Sequence, residues 1–211
     1  MTFFEHAMLG STLALAAGLH RRFGWRIVIM AGVAAMLPDW DGLTLIFGSS
    51  AYDLAHRVWG HNLLVAGCSG GLVGVAECFW NVSDRVRQRL ARFAPSLASP
   101  TPLSSPDGDS RTPALYLTWF LIGAVASFSH LAADLVYSSH PRMQDWPLRL
   151  LWPFSRRDFA FPIIHWGDLG ATIIFVAEMF AVYFWPSRIR VIASATLTAV
   201  VGYILVRAGL R

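Results

Sequence analysis

Carboxylates and imidazoles recur at the ends of apolar runs in this chain, where they add nothing to a hydrophobic core. The stretch LPDWDGL, residues 37–43, places Asp39 and Asp41 two residues apart directly after an apolar run. Carboxylate oxygens and imidazole nitrogens are ligands that zinc takes in proteins. The sequence therefore offers a candidate metal-ligand set, and its members are His6, Asp39, Asp41, His56, His61, His130 and Asp134.

The pairing with the clearest spacing is His130 and Asp134, within SHLAADL. Residues four apart share one face of a helix, so these two side chains can reach one ion. A buried hydrogen-bonded pair between helices is the simpler interpretation of the same spacing, and PDWDG alone would be an interfacial turn. His56 and His61 are five apart, so they need a loop-to-helix junction to face the same way.

The composition is that of a membrane protein. Of the 211 residues, 55% are hydrophobic and 14% are charged, with a mean hydropathy of +0.49, whereas soluble domains carry about 25% charged residues. The 17 basic residues are all arginine and are spread over loops. Because no basic stripe is interleaved with aromatic residues, we expect no nucleic-acid partner. The oligomeric state stays open.

Six apolar runs predict an all-α fold, a multi-span transmembrane bundle of about four to six helices in one domain over residues 1–211. A span needs roughly 20 apolar residues, so the last four runs are expected to span, and the two short first runs to form a tilted or partly embedded hairpin. Residues 95–113, rich in proline and serine, are expected to form a flexible loop. The runs are 7–19, 27–38, 63–80, 114–129 extending to about 138, 169–185 and 191–206.

Antiparallel tracing of these runs places the whole candidate set at one membrane face. His20 falls on the opposite side, and Glu178 lies in mid-span without an assigned role. The candidate face receives four further polar residues: His140, Asp145, His165 and Asp168.

The arginines predict which face is cytoplasmic. The face opposite the candidate set carries ten: Arg21, Arg22, Arg26, Arg85, Arg87, Arg89, Arg92, Arg111, Arg188 and Arg190. The candidate face carries seven: Arg57, Arg142, Arg149, Arg156, Arg157, Arg207 and Arg211. The positive-inside rule therefore predicts an extracytoplasmic site.

The ordered blocks H…LPDWD…HRVWGH…HLAAD…LLWPFS resemble the YdjM-like family of inner-membrane proteins over roughly residues 1–160. Members of that family are described as metal-dependent hydrolases, LexA-associated in some cases, and as distantly similar to zinc-dependent phospholipase C. The resemblance implies a multi-pass protein of the bacterial inner (cytoplasmic) membrane and a lipid phosphoester as the substrate class. Four family blocks are matched, by His6, by Asp39 and Asp41, by His130 and Asp134, and by Pro153, Phe154 and Ser155.

A fifth block of the family, HRG-x-TH-S, is matched only in part by HRVWGHN. The retained residues are His56, Arg57 and His61. Val58, Gly60 and Asn62 stand where the family pattern has Gly, Thr and Ser. The metal-ligating side chains implied by the resemblance are therefore kept, while the hydroxyl groups of the block are replaced.

We therefore expect a membrane-embedded hydrolase that acts on a membrane lipid or lipid-like substrate at the interface. One or two zinc ions, or another divalent metal, would activate water and polarise the scissile oxygen. Asp41, or a ligand carboxylate that shifts, is the predicted general base. Arg57 is predicted to contact a phosphate bidentately, and Arg156 and Arg157 to do the same or to anchor at headgroups.

Two other interpretations stay open. The protein would be non-enzymatic if its metal is structural or if its polar face binds a partner, and a closed four-ligand site would favour this. A metal or proton transporter would need polar residues along a path across the membrane. Apart from His130 and Asp134, Glu178 is the only deep polar residue available for that path.

Overall fold

The computed structural model describes residues 1–93, 112–139 and 145–210, and helices make up most of them, with irregular chain among the described residues between Val136 and Gly170. Within those ranges, strand pairing is limited to isolated bridges between Ser139 and His165 and between Leu148 and Phe159. The expected all-α multi-span bundle is confirmed. Residues 95–111 of the predicted loop, and His140, lie outside the described residues. The helices are α1 (Phe3–Ala16), α2 (Leu19–Phe23), α3 (Trp25–Met36), α4 (Ser49–Ala55), α5 (Leu63–Trp80), α6 (Val82–Phe93), α7 (Pro113–Val136), α8 (Gly170–Phe184) and α9 (Ile189–Gly209).

Four helical stretches in the described part of the chain are long and apolar enough to cross a membrane. The second apolar run was expected to be too short, but 3₁₀ turns over Leu37–Phe47 prolong α3 to 23 residues in all. The run at 169–185 was expected to span, but it forms α8, which has only 15 residues before Pro186 begins a 3₁₀ turn. The four stretches are Trp25–Phe47, Leu63–Trp80, Pro113–Val136 and Pro186–Gly209.

The two central helices, α5 and α7, pack backbone against backbone through glycines. A Cβ at Gly70 would collide with the carbonyl of Gly123, and one at Gly74 with the backbone of Trp119. Small residues four apart let helices approach closely in membranes, where close van der Waals packing drives association. This contact fixes α5 relative to α7, and α3 packs on both helices.

The helix directions gather the candidate residues at one end of the bundle. α1 and α5 begin, and α3 and α7 end, at what we call the histidine end. α3 begins and α5 ends at the opposite arginine end, where Arg26 contacts Glu77. α5, at 18 residues, separates the two ends by roughly 27 Å.

Candidate metal centre

The first turn of α1 contributes His6, and a helix cap fixes its place. The Thr2 hydroxyl accepts the backbone N–H of Glu5, and the Glu5 carboxylate accepts the backbone N–H of Thr2 at 2.7 Å. This reciprocal capping box satisfies helix-terminal donors and sets the residue at which the helix begins. Glu5 also accepts a hydrogen bond from Thr172 of α8 at 2.6 Å. His6 is therefore held one turn into α1, where it is fully buried.

Two of the three residues that depart from the family block, Gly60 and Asn62, shape the loop before α5. Asn62 caps α5 by accepting the backbone N–H of Val65 at 2.9 Å. The Gly60 N–H donates to Asp41 Oδ2 at 2.9 Å, and a Cβ at this position would collide with the carbonyl of Pro38. Both replacements thus serve the local backbone of the loop that presents His61.

Four side chains from three chain segments converge at the histidine end. One ligand atom each from Asp39, His61, His130 and Asp134 lies within 4.8 Å of all the others. His61 Nε2 lies 3.3 Å from Asp39 Oδ1 and 3.4 Å from Asp134 Oδ2. His130 Nε2 lies 3.6 and 3.7 Å from the same two oxygens. Ligands at about 2.0–2.1 Å from a tetrahedral zinc stand about 3.3 Å apart, so the residues present fit a single ion.

The imidazole tautomers follow from the partners of the two Nδ1 atoms. His61 Nδ1 lies 3.0 Å from Asp41 Oδ2, and His130 Nδ1 lies 2.8 Å from the carbonyl oxygen of Ala35. Both partners only accept, so each Nδ1 must donate its hydrogen. In the neutral rings both Nε2 atoms are then bare, and they face each other at 3.1 Å. A proton or a cation must lie between them, because two lone pairs at that distance repel.

The charges around His61 favour a positive charge at this point. Burial by itself lowers the pKa of His61, but hydrogen bonds with Asp134, Asp39 and Asp41 outweigh it and raise the pKa well above its ordinary value. Without a metal the imidazole therefore carries the positive charge. A divalent cation would take the place of that proton among the same carboxylates.

His6 lies beside this cluster without joining the four. Its ring stacks on His130, with centroids 3.5 Å apart, and its Nε2 lies 3.1 Å from Asp134 Oδ1. Despite this proximity, neither ring nitrogen of His6 makes a hydrogen bond within the described residues. Burying an imidazole without hydrogen bonds is costly. His6 is therefore a fifth candidate ligand, located beside His130 and Asp134.

Asp41, His56 and His61 form a second group of potential ligands. This group shares His61 with the four-residue cluster. His56 Nδ1 lies 2.8 Å from Asp41 Oδ1, while Oδ2 accepts from Gly60 N and His61 Nδ1. Donors and acceptors are matched here without an ion. Asp41 is fully buried behind His61, so its geometry is that of a carboxylate that orients a ligating imidazole.

Arg57 lies behind Asp134 rather than in front of the cluster. Its Nη2 is 3.3 Å from Asp134 Oδ2, its Nη1 donates to the Trp146 carbonyl at 2.7 Å, and its guanidinium covers the Trp146 ring at 4.8 Å. Its backbone has a φ of 62°, the left-handed region, which costs a non-glycine residue roughly 1–3 kcal/mol. The buried guanidinium supplies positive charge to Asp134 and fixes its carboxylate.

Sequence reasoning missed three contributors: Gly60, the Ala35 carbonyl and Trp146. The only signal for Gly60 was its departure from the family block. The other two carry no residue-type signal, because Ala35 acts through its backbone carbonyl and Trp146 both through its carbonyl and as a platform for Arg57. They are recognisable only once the loops are placed.

Several polar residues expected at the same face lie apart from the cluster. Asp145 is exposed. His165 is partly exposed and contacts Asp168, which also accepts from Tyr203 of α9. Glu178, which the sequence placed in mid-span, also lies apart from the cluster and accepts from Thr12 at 2.6 Å, in a contact between α8 and α1. These contacts join helices and leave the four-residue cluster as the densest gathering of imidazoles and carboxylates in the described chain.

Comparison with known proteins gives a family match over nearly the whole chain. The family described as YdjM inner membrane protein matches residues 1–210. Neither the curated proteins nor the solved structures contain a match. The match extends well past the blocks that first indicated the resemblance, and the four apolar helices agree with the family's membrane location. The chain belongs to the YdjM family of inner membrane proteins.

Proposed function

We propose that the protein is a membrane-embedded, metal-dependent hydrolase whose cation, expected to be zinc, is held by Asp39, His61, His130 and Asp134. The observation that carries this proposal is the pair of bare imidazole nitrogens 3.1 Å apart, flanked by two carboxylates. When bound, such a cation supplies Lewis acidity that lowers the pKa of water and polarises a scissile ester bond.

The surrounding residues hold the ligands in place. Asp41 orients His61, the Ala35 carbonyl orients His130, and Arg57 steadies Asp134. Because both Asp41 oxygens are occupied by hydrogen bonds, the better candidate for the general base is a ligand carboxylate that shifts. Asp39 suits this role, since its side chain is 12% exposed while that of Asp134 is 3% exposed.

A membrane lipid, or a lipid-like phosphoester or ester, is the proposed substrate. The 3₁₀ segment that holds Asp39 ends in Ile46 and Phe47, which are 80% and 83% exposed, and Leu54 and Phe154 are exposed at 76% and 84%. Apolar patches of this kind mark membrane or ligand contact. Arg156 and Arg157 are exposed beside Phe154 and are the proposed contacts for a headgroup phosphate, since Arg57 is already engaged.

A structural metal site is the second candidate function. The side chains of His61 and His130 are fully buried, and a closed four-ligand site without an open position is typical of structural zinc. In that case the ion would tie together the ends of α3 and α7 and the start of α5. The two candidates differ in whether a substrate oxygen can reach the ion.

Metal content and lipid turnover, measured on the same preparations, test the proposal. The detergent-purified protein, His130→Ala and the matched control His165→Ala would be compared by elemental analysis. Each would then be assayed with phosphodiester and acyl-ester lipids, before and after chelation and after zinc is restored. We expect one zinc ion per chain and turnover in the wild type and in His165→Ala, with both lost in His130→Ala.

The outcomes separate the candidates. Bound metal with no turnover of either lipid class, and with stability lost on chelation, would leave the structural site. Absence of metal under all loading conditions, with unchanged stability of His130→Ala, would end both.

We propose in addition that the cluster faces the extracytoplasmic side, from the excess of arginines at the opposite end. Single cysteines at exposed Ser50 and Ser187, in a chain whose Cys68 and Cys78 are replaced by alanine, would report this. An impermeant thiol reagent applied to intact cells should label position 50 and spare position 187, and the reverse pattern would invert the orientation.

A further inference from the structure

The arginine end carries a helix that the metal centre does not use. α6 follows α5 directly after Asn81, whose φ of 50° turns the chain at the end of a membrane span. Val82, Val86 and Leu90 recur every four residues along α6, and they are 41%, 50% and 52% exposed. An apolar stripe at this spacing lies along one side of a helix, so α6 has an apolar side that the described residues leave about half exposed.

A groove of about 570 Å³ runs between α6 and the spans formed by α3 and α5. Its walls are apolar side chains of Ile29, Val33, Val73, Val86 and Leu90. Of the α3 residues, Ile29 and Val33 are 42% and 46% exposed. The charged residues of its lining are paired: Glu77 accepts from Arg26 and from the Ser83 N–H, and Arg87 lies 3.6 Å from Asp84. The interior of the groove thus suits a hydrocarbon chain.

Two arginines flank the apolar stripe on the side away from the groove. Arg85 and Arg89, one helical turn apart, are exposed and line a second depression with Trp80, Val82 and Val86. Trp80 ends the α5 span and is 51% exposed, which is the position that tryptophan favours at a membrane interface. An apolar groove therefore adjoins a pair of arginines at the level where a span ends.

We propose that α6 lies in the plane of the membrane surface and binds an anionic phospholipid, with one acyl chain in the α3–α5–α6 groove and the phosphate against Arg85 and Arg89. Amphipathic helices with arginine beside an apolar stripe bind at this depth, and each basic residue adds attraction to anionic lipid. α6 directly follows a membrane span, so the groove lies where the bilayer ends. A bilayer lipid is therefore the molecule that is already next to the groove, and we take it as the occupant. This inference is independent of the metal centre, which lies at the other end of α5.

The test uses the full-length protein in detergent with defined lipids added. Thermal unfolding and native mass spectrometry would compare phosphatidylglycerol with phosphatidylcholine for the wild type, for Arg85→Gln/Arg89→Gln and for Arg21→Gln/Arg22→Gln. The last variant loses the same charge from α2 at the same end. We expect the wild type to prefer phosphatidylglycerol and the α6 variant to lose about thirtyfold in apparent affinity, with the α2 variant unchanged.

Further binding measurements distinguish a lipid site from a site for a free anion and from non-specific attraction to positive charge. Glycerol phosphate and dihexanoyl phosphatidylglycerol should bind far more weakly than the long-chain lipid, because neither fills the groove. Equal binding of glycerol phosphate, equal losses in the α2 and α6 variants, or an undiminished preference in the α6 variant would each overturn the proposal. The preference should persist in His130→Ala, so a failed metal site and a failed lipid site give different results.

Discussion

The two ends of the bundle bury ionisable side chains in opposite ways. At the arginine end one cation meets one anion: Arg26 Nε donates to Glu77 Oε1 at 2.9 Å, and Glu77 Oε2 accepts from the Ser83 N–H. At the histidine end, His61 and His130 turn bare nitrogens toward each other between two carboxylates. The difference lies in whether donors and acceptors are matched among the described residues, and that separates an ion pair that is complete in itself from a group of ligand atoms where a proton or a cation must lie between two imidazoles.

The sharpest way to break this comparison is to remove one converging imidazole. His130→Ala should weaken zinc binding roughly 10²- to 10³-fold, since a structural zinc site is worth about 10–16 kcal/mol, or about 2.5–4 kcal/mol for each of four ligands. His56→Ala, in the group whose donors and acceptors are already matched, should weaken zinc binding far less. Competition with a fluorescent chelator would measure both. Equal losses of zinc affinity in the two variants would indicate that the ion binds at the Asp41 group instead.

Breaking the ion pair at the arginine end should affect stability and leave metal binding intact. Arg26→Ala strands a buried carboxylate and should cost about 3–5 kcal/mol of unfolding free energy. The exposed Arg22→Ala is the matched control and should cost under about 1 kcal/mol. Chemical unfolding in detergent, with zinc content determined on the same samples, is the measurement. Loss of zinc in Arg26→Ala would show that the two ends are not separable.

The orienting role of Asp41 predicts an intermediate effect. Asp41→Asn keeps the shape but cannot accept from His56, His61 and Gly60 as the carboxylate does. Loss of such an orienting partner typically lowers metal affinity about 10–100-fold. Asp145→Asn, an exposed carboxylate beyond the cluster, should leave zinc affinity unchanged. An Asp41 variant that abolishes binding altogether would instead make Asp41 a ligand.

The smallest effect is expected at the turn into α6. Asn81 has a left-handed backbone, so Asn81→Ala should cost about 1 kcal/mol, whereas Asn81→Gly should be neutral or nearly so. Thermal unfolding in detergent would show the difference. If the alanine variant were as stable as the glycine variant, the turn that sets the direction of α6 would not depend on this conformation.

The sequence predicted the bundle and the convergence of the histidine end because apolar runs locate helices and antiparallel tracing locates their ends. It did not predict the directions of hydrogen bonds. Arg57 was expected to face a substrate phosphate, yet a left-handed backbone in the loop turns it onto Asp134 and Trp146. The 3₁₀ continuation of α3 was missed for a related reason: periodicity and run length end at Pro38, whereas the helical path does not.

Gly60 carries a consequence for how this block of sequence can change. A threonine placed there would bring its Cβ against the Pro38 carbonyl. The 3₁₀ segment would have to retreat first, and Asp39 and Asp41 would move with it. Because the obstacle is a backbone carbonyl, a different side chain at position 38 would not make room: any side chain at position 60 requires the backbone that carries the two aspartates to shift.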